Sequence, residues 1–167
     1  GEKNPSRLLK HLLLPDWWLR REFSAADQAA IGAAIAAGEQ THRGELRFVA
    51  EGSLPLSALW RELSARERAV ELFAALRVCD TAENSGILIY VQLVEHRVEI
   101  LADRGIAARV PQAGWDAFCR EMEASFHDAR WRDGALQAVA RAGALLAGHF
   151  PAGASNPNEL PDQPLVL

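Results

Sequence analysis

The chain has 167 residues, of which 49% are hydrophobic and 24% charged, with two cysteines and a formal net charge of −4. That composition suits one globular domain that buries its core without metal or disulfide staples, and the longest uncharged stretch, Gln28 to Gly38, falls short of the about 18 apolar residues a membrane span needs. Lys3, Arg7, Lys10, Arg20 and Arg21 against Glu2 and Asp16 give +3 over residues 1–21 and leave −7 on the rest, which excludes a general nucleic-acid binder because no basic stripe crosses the main body.

Arg7 to Leu14 reads as a short helix that Pro15 stops, and Asp16–Arg21 follows with two tryptophan rings beside charge. Ser24 opens the first long helix, with Asp27 at the reciprocal capping position, and the helix runs to about Thr41. Ile31 and Ile35 share its buried face. Glu45–Glu51 alternates: Leu46, Phe48 and Ala50 face one way, and Glu45, Arg47 and Glu51 the other, as in a half-buried strand. A turn or two of helix is expected over Leu56–Leu63. Ser64 and Glu67 form a second capping box, opening a helix to about Val78.

Gly86–Val94 and Arg97–Ala102 are rich in β-branched residues and read as a hairpin turning at Glu95–His96. Pairing Val94 with Arg97 sets Leu93 against Val98, Val91 against Ile100 and Ile89 against Ala102, a wholly apolar face. Pro111 suits the first turn of a helix to Phe126, with Trp115, Phe118, Cys119 and Met122 as its core stripe. A last helix is expected from Arg130 to His149, burying Leu136, Val139, Gly143 and Leu146. From Pro151 the composition is Pro, Gly, Ala and Asn without period, and residues 151–167 read as a disordered tail. Cys79 and Cys119 lack any CxxC or Cys/His neighbourhood and are expected as reduced, buried thiols. The helix between the first two strands allows a parallel pair with a right-handed crossover, and the hairpin adds an antiparallel strand. The expected fold is α/β, a small mixed sheet flanked by helices.

Four motifs occur in an order that resembles the TPM domain family. Gly44-Glu45-Leu46 stands where that family opens its first strand. Asn84-Ser-Gly-Ile-Leu-Ile-Tyr90 is similar to its Asn-Gly-Val-Leu-Leu strand entry. Asp103-Arg-Gly105 follows an arginine-containing strand, and Phe126 to Leu136 is similar to its Phe…Tyr-x-x-Gly-Leu helix entry. The resemblance covers roughly residues 24–150. It implies an α/β/α sandwich and a role as an accessory module for membrane complexes, often beside LemA-type membrane proteins, or as a phosphatase that binds divalent cations. The sequence departs from the family pattern in its basic, tryptophan-rich residues 1–21, in Asp103 where glycine is common, and in showing neither the usual leader nor an anchor. The expected location is therefore the cytoplasm, at the periphery of the inner membrane.

Two places carry candidate chemistry. The hairpin brings the start of one strand and the end of the next to one sheet edge, so Asp80, Glu83, Asn84, Asp103 and Glu45 are candidate oxygen ligands for calcium or magnesium. The rival reading is that Asp80-Thr81 and Asn84-Ser85-Gly86 cap a helix and turn the chain, and that Asp103 pairs with Arg104 or another surface arginine. Covalent phosphatase chemistry lacks its parts. At the spacing where a nucleophilic cysteine needs arginine, Cys79 meets Ser85 and Cys119 meets Ser125, and no aspartyl nucleophile motif is present. The five histidines form no triad or metal pair. The second place is the N-terminal segment. Leu8, Leu9, Leu12 and Leu13 give an apolar face, and Lys3, Arg7, Lys10, Trp17, Trp18, Arg20 and Arg21 supply charge and interface-preferring rings. It suits an anionic membrane surface or a membrane-protein partner, or else folds back on the domain.

Overall fold

The computed structural model of the protein describes residues 4–126, 130–153 and 159–167. Its elements are α1 (Pro5–Leu13), α2 (Asp16–Glu22), α3 (Ala25–Glu39), β1 (Glu45–Glu51), α4 (Leu56–Trp60), α5 (Ala65–Ala75), β2 (Gly86–Gln92), β3 (Arg97–Ala102), α6 (Arg104–Ala107), α7 (Gln112–Phe126), α8 (Trp131–His149) and β4 (Leu165–Val166). Both capping boxes form. The Ser24 and Ser64 hydroxyls accept from the Asp27 and Glu67 backbone N–H groups, and the two carboxylates accept in return from the serine N–H groups. Pro15 ends α1 and also starts α2, because a residue with fixed φ and no N–H suits a helix entrance.

The sheet order is β3-β2-β1-β4, with β1 parallel to β2 and to β4, and β2 antiparallel to β3. Leu46, Phe48, Ala50, Ile87, Ile89, Val91, Val98 and Ile100 pack against α3, α7 and α8. Val49, Leu88, Tyr90 and Leu101 pack on the opposite face, against Ala65, Ala69 and Leu72 of α5. The product is the α/β/α sandwich. β1 is not half-buried as expected, since Glu45 and Glu51 are each only 2% exposed.

Three further expectations are corrected. The hairpin pairs Val91 with Val98 and Ile89 with Ile100, a shift of two residues from the expected register. Gln92, not Val94, is opposite Arg97. The Gln92 carboxamide oxygen accepts from the Val94 and Glu95 N–H groups, and His96 takes a left-handed φ of 54°, so the turn closes on four residues. A shift of two keeps every side chain on its face, so the apolar pattern does not tell the two registers apart. Of the tail expected to be disordered over residues 151–167, residues 154–158 lie outside the described residues, and residues 159–167 are packed on the sheet, because β4 pairs with Val49 and Ala50 and Leu160 is buried. The Arg47 guanidinium donates to the Pro161 and Gln163 carbonyls, and the Glu45 carboxylate accepts from the Glu159 and Leu160 N–H groups. Side chains of β1 thus hold a segment that has no apolar period of its own. Cys119 is buried, but Cys79 is exposed.

β3 lies at the sheet edge, where unsatisfied backbone groups invite pairing with another chain. Side chains of α7 close it. The Val98 N–H donates to Glu123, the Val98 carbonyl accepts from Arg120, the Ile100 carbonyl accepts from Gln112, and the Ile100 N–H donates to the Cys119 sulfur. Replacing Glu123 by Ala leaves the Val98 N–H without its partner and is expected to cost about 1–3 kcal/mol in urea unfolding. An unchanged midpoint would show that this closure contributes nothing to stability.

Candidate functional site

The polar edge forms as the topology requires. Glu45 N–H donates to the Ser85 carbonyl, Asp103 N–H to Gly86 and Gly105 N–H to Asn84, so β1, the 80–86 loop and the end of β3 meet at one edge. Two glycines make the approach possible. A Cβ on Gly86 would lie 2.0 Å from the Val78 carbonyl oxygen, and one on Gly105 would lie 2.5 Å from that of Glu83. Asn84 turns the chain at a φ of 52°.

The five candidate ligands come together by loop but not by carboxylate. Asp80 binds Arg77 at 2.7 Å, and Glu83 pairs with Arg43 at 3.3 Å. Glu45 accepts from the tail backbone. Asp103 caps α6 through one oxygen, while its Oδ2 is buried without a hydrogen-bond partner among the described residues, as is the Ser85 hydroxyl. Among the described residues no three His, Cys, Asp or Glu side chains are grouped to hold a metal ion. The donor set as placed does not fit calcium or magnesium, which takes several oxygens at once.

Sequence reasoning missed two buried polar groups. At the far end of the sheet, Glu51 receives both arms of Arg68, at 2.9 and 2.7 Å, and the Tyr90 hydroxyl at 2.8 Å. The alternation of β1 pointed Glu51 away from the core, but only the second helical layer shows that this face is covered too. Near the polar edge, Glu39 of α3 lies against Asp162 of the tail and Glu45 of β1. Burial first, then the Asp162 hydrogen bond and the Glu45 charge, push its carboxyl up to about 9. Burial raises Glu45 as well. No signal in the sequence marks this contact, because Asp162 lies in the segment read as disordered.

The N-terminal arm is docked through residues of both its helices. Asn4 caps α1. Arg7 donates to Glu95 and to the Leu63 carbonyl. The buried His11 ring accepts the Leu54 N–H at Nδ1, 3.0 Å away, so its proton lies on Nε2, 2.9 Å from Glu95. Burial opposes ionisation of Glu95, yet the His11 and Arg7 bonds hold its carboxyl below the ordinary value. Leu8 joins the Leu54, Leu59 and Leu63 cluster, and Trp18 and Leu19 pack on the main core. Of the residues expected to meet a membrane, Arg7 and Trp18 are therefore engaged inside the protein, and Lys3 lies outside the described residues. Lys10, Trp17, Arg20 and Arg21 are exposed, as are Leu9, Leu12 and Leu13. No helix among the described residues is long and apolar enough to cross a membrane.

The TPM domain model matches residues 21–145, from the end of the arm into α8. The chain belongs to the TPM domain family. Among solved structures, the TPM fold here is similar to the BA42 protein of the psychrophilic bacterium Bizionia argentinensis, at 26% identity and a TM-score of 0.74, over 86% of this chain and 94% of that one. The N-terminal domain of a P. gingivalis protein shares the fold at 17% identity and a TM-score of 0.63, over 76% of this chain and 78% of that one. Comparison with curated proteins gives no match. The polar-edge residues and Glu39 lie within the matched residues, whereas Asp162 follows them and nearly all of the arm precedes them.

Glu39 sets a pH test. Its folded-state value lies above its unfolded one, so the stability it permits is complete below the ordinary carboxylate value of 4.5 and is lost as pH rises towards about 9. The loss is at most about 1.4 kcal/mol per pH unit. Glu39→Gln keeps a donor for Asp162 and removes the ionisation. The variant is expected to match the parent at pH 4 and to melt higher at pH 8. Parallel melting curves at both pH values would contradict the assignment.

Proposed function

We propose that this TPM domain is an interaction module that works beside a membrane-associated partner, with its N-terminal arm seated on the anionic membrane surface. The observation that carries this reading is the placement of apolar surface. Of the eight large hydrophobic side chains exposed among the described residues, six lie on α1, α2 and α4: Leu9, Leu12, Leu13, Trp17, Leu56 and Trp60. Exposed Lys10, Arg20 and Arg21 flank them on a chain whose net charge is −4. A leucine face bordered by basic residues and tryptophan suits the boundary between headgroups and acyl chains.

Co-sedimentation with vesicles tests it. The full chain is expected to bind anionic vesicles more tightly than neutral ones, and more weakly as salt rises. Lys10→Glu with Arg20→Glu and Arg21→Glu removes attraction worth about 1 kcal/mol per basic residue and should cut binding by about tenfold or more. Binding unchanged by that triple substitution would defeat the proposal.

A cation-dependent phosphatase of low activity is the second reading, and it needs the carboxylates of Asp80, Glu83 and Glu45 to leave Arg77, Arg43 and the tail backbone and gather with the Asp103 Oδ2. Hydrolysis of a generic phosphate ester is expected to be low, and abolished by chelator or by Asp103→Ala. Robust activity that survives both would place the chemistry elsewhere.

A further inference from the structure

We propose that α1 and α4 bind one anionic phospholipid, with an acyl chain in the groove between the two helices and the headgroup beside Lys10 and Arg7; this deepens the membrane-surface reading and rests on it. Two cavities flank the first turn of α1. One, of about 330 Å³, is walled by Pro5, Leu8, Leu59 and Trp60, with Asn4, Arg7 and Glu62 completing its lining. The other, of about 510 Å³, shares Asn4 and Arg7 and adds Lys10, His11, Glu95 and His96. An apolar cavity and a polar, basic one thus meet at two common residues, which is the layout an amphiphile needs. Both volumes fall in the range of small-molecule sites.

The charge balance of the polar cavity favours an anion. Arg7 is neutralised by Glu95, to which it donates. Lys10 is exposed and has no ionic partner among the described residues, so the cavity keeps one positive charge in excess. The helix geometry supplies the route. At about 3.6 residues per turn, Leu8, Leu12, Leu9 and Leu13 succeed one another round α1, and Lys10 follows. The cavity wall is therefore continuous with the exposed leucine face. A chain lifted from a leaflet on which that face rests would reach the groove over apolar side chains, while its headgroup stayed beside Lys10. A peptide helix would fill the groove without needing the adjoining basic cavity.

The test is an amide NMR titration of the full chain with dihexanoyl phosphatidylglycerol below its micelle concentration. Dihexanoyl phosphatidylcholine and glycerol phosphate alone serve as comparisons. Saturable shifts are expected at Leu8, Leu59 and Trp60 and at Lys10 and His96, with the anionic lipid bound about tenfold more tightly than the choline lipid. Leu8→Trp, which fills the groove, should remove this binding and leave vesicle co-sedimentation intact. Leu13→Ser with Trp17→Ser should do the reverse. Should Leu8→Trp fail to fold, Trp60→Ala, at a ring 67% exposed, is expected to weaken lipid binding about tenfold on its own. Shifts confined to Leu9, Leu12, Leu13 and Trp17 would overturn the groove and spare the surface reading. Equal affinity for the choline lipid would overturn the anionic headgroup, and equal shifts from glycerol phosphate would overturn the acyl chain. Absence of both lipid and vesicle binding would remove both proposals.

Discussion

β2 is buried along its whole length, on both faces, and the rest of the molecule follows from that burial. A strand covered on two sides has no room for polar side chains in its middle, so polar contacts collect at its ends. At one end the chain turns through Asn84 and Ser85, with Gly86 pressed against the Val78 carbonyl. At the other end the Tyr90 hydroxyl reaches Glu51, and Gln92 donates to the Gly52 carbonyl while accepting from the turn. The neighbouring strands inherit this division. β1 carries a buried glutamate at each end, and each is met by a different part of the chain: Glu45 by the C-terminal segment and Glu51 by α5.

The two ends therefore serve different purposes. The end at Glu45 is closed by the molecule on itself. Its acids are matched by arginines or by backbone N–H groups, and Glu39 remains protonated at neutral pH, which removes the repulsion that three neighbouring carboxylates would otherwise bring. The end at Glu51 is where the N-terminal arm lies, with Leu19 over Gly52 and His11 on Leu54. In open α/β sheets that is the side on which ligands bind, beyond the carboxyl ends of parallel strands. Here the arm covers it and leaves its own outer face to the surroundings.

Much of this was legible from residues. The Ser24 and Ser64 caps, the β1 and β2 boundaries at Glu45 and Gly86, and the convergence of the 80–86 loop with Asp103 follow from local chemistry and period. Hairpin register was legible only to within a shift of two, because the side chains of a strand repeat every second residue and Gln92 could be read as a strand position or as a turn cap. β4 was not legible at all. It is held by Arg47 and Glu45, more than a hundred positions earlier in the chain, and nothing local in Leu165–Val166 records that. The pairing of the candidate ligands was not legible for a related reason. Loop proximity can be read from topology, but which arginine each acid meets depends on the packed surface, as Glu83 with Arg43 shows.

The sulfur that closes the β3 edge has a consequence of another kind. Burial first, and the Glu99 charge next, push the Cys119 thiol up to about 12, so it is neutral and accepts the Ile100 N–H. A thiol reacts as its thiolate and only where reagent can reach it. Cys79, on the surface, meets neither obstacle of burial nor of edge closure. The chain thus carries two chemical clocks. Alkylation of Cys79 runs with the reagent, and alkylation of Cys119 runs with the parting of α7 from β3. The interval between the two modifications measures how often the sheet opens along that seam.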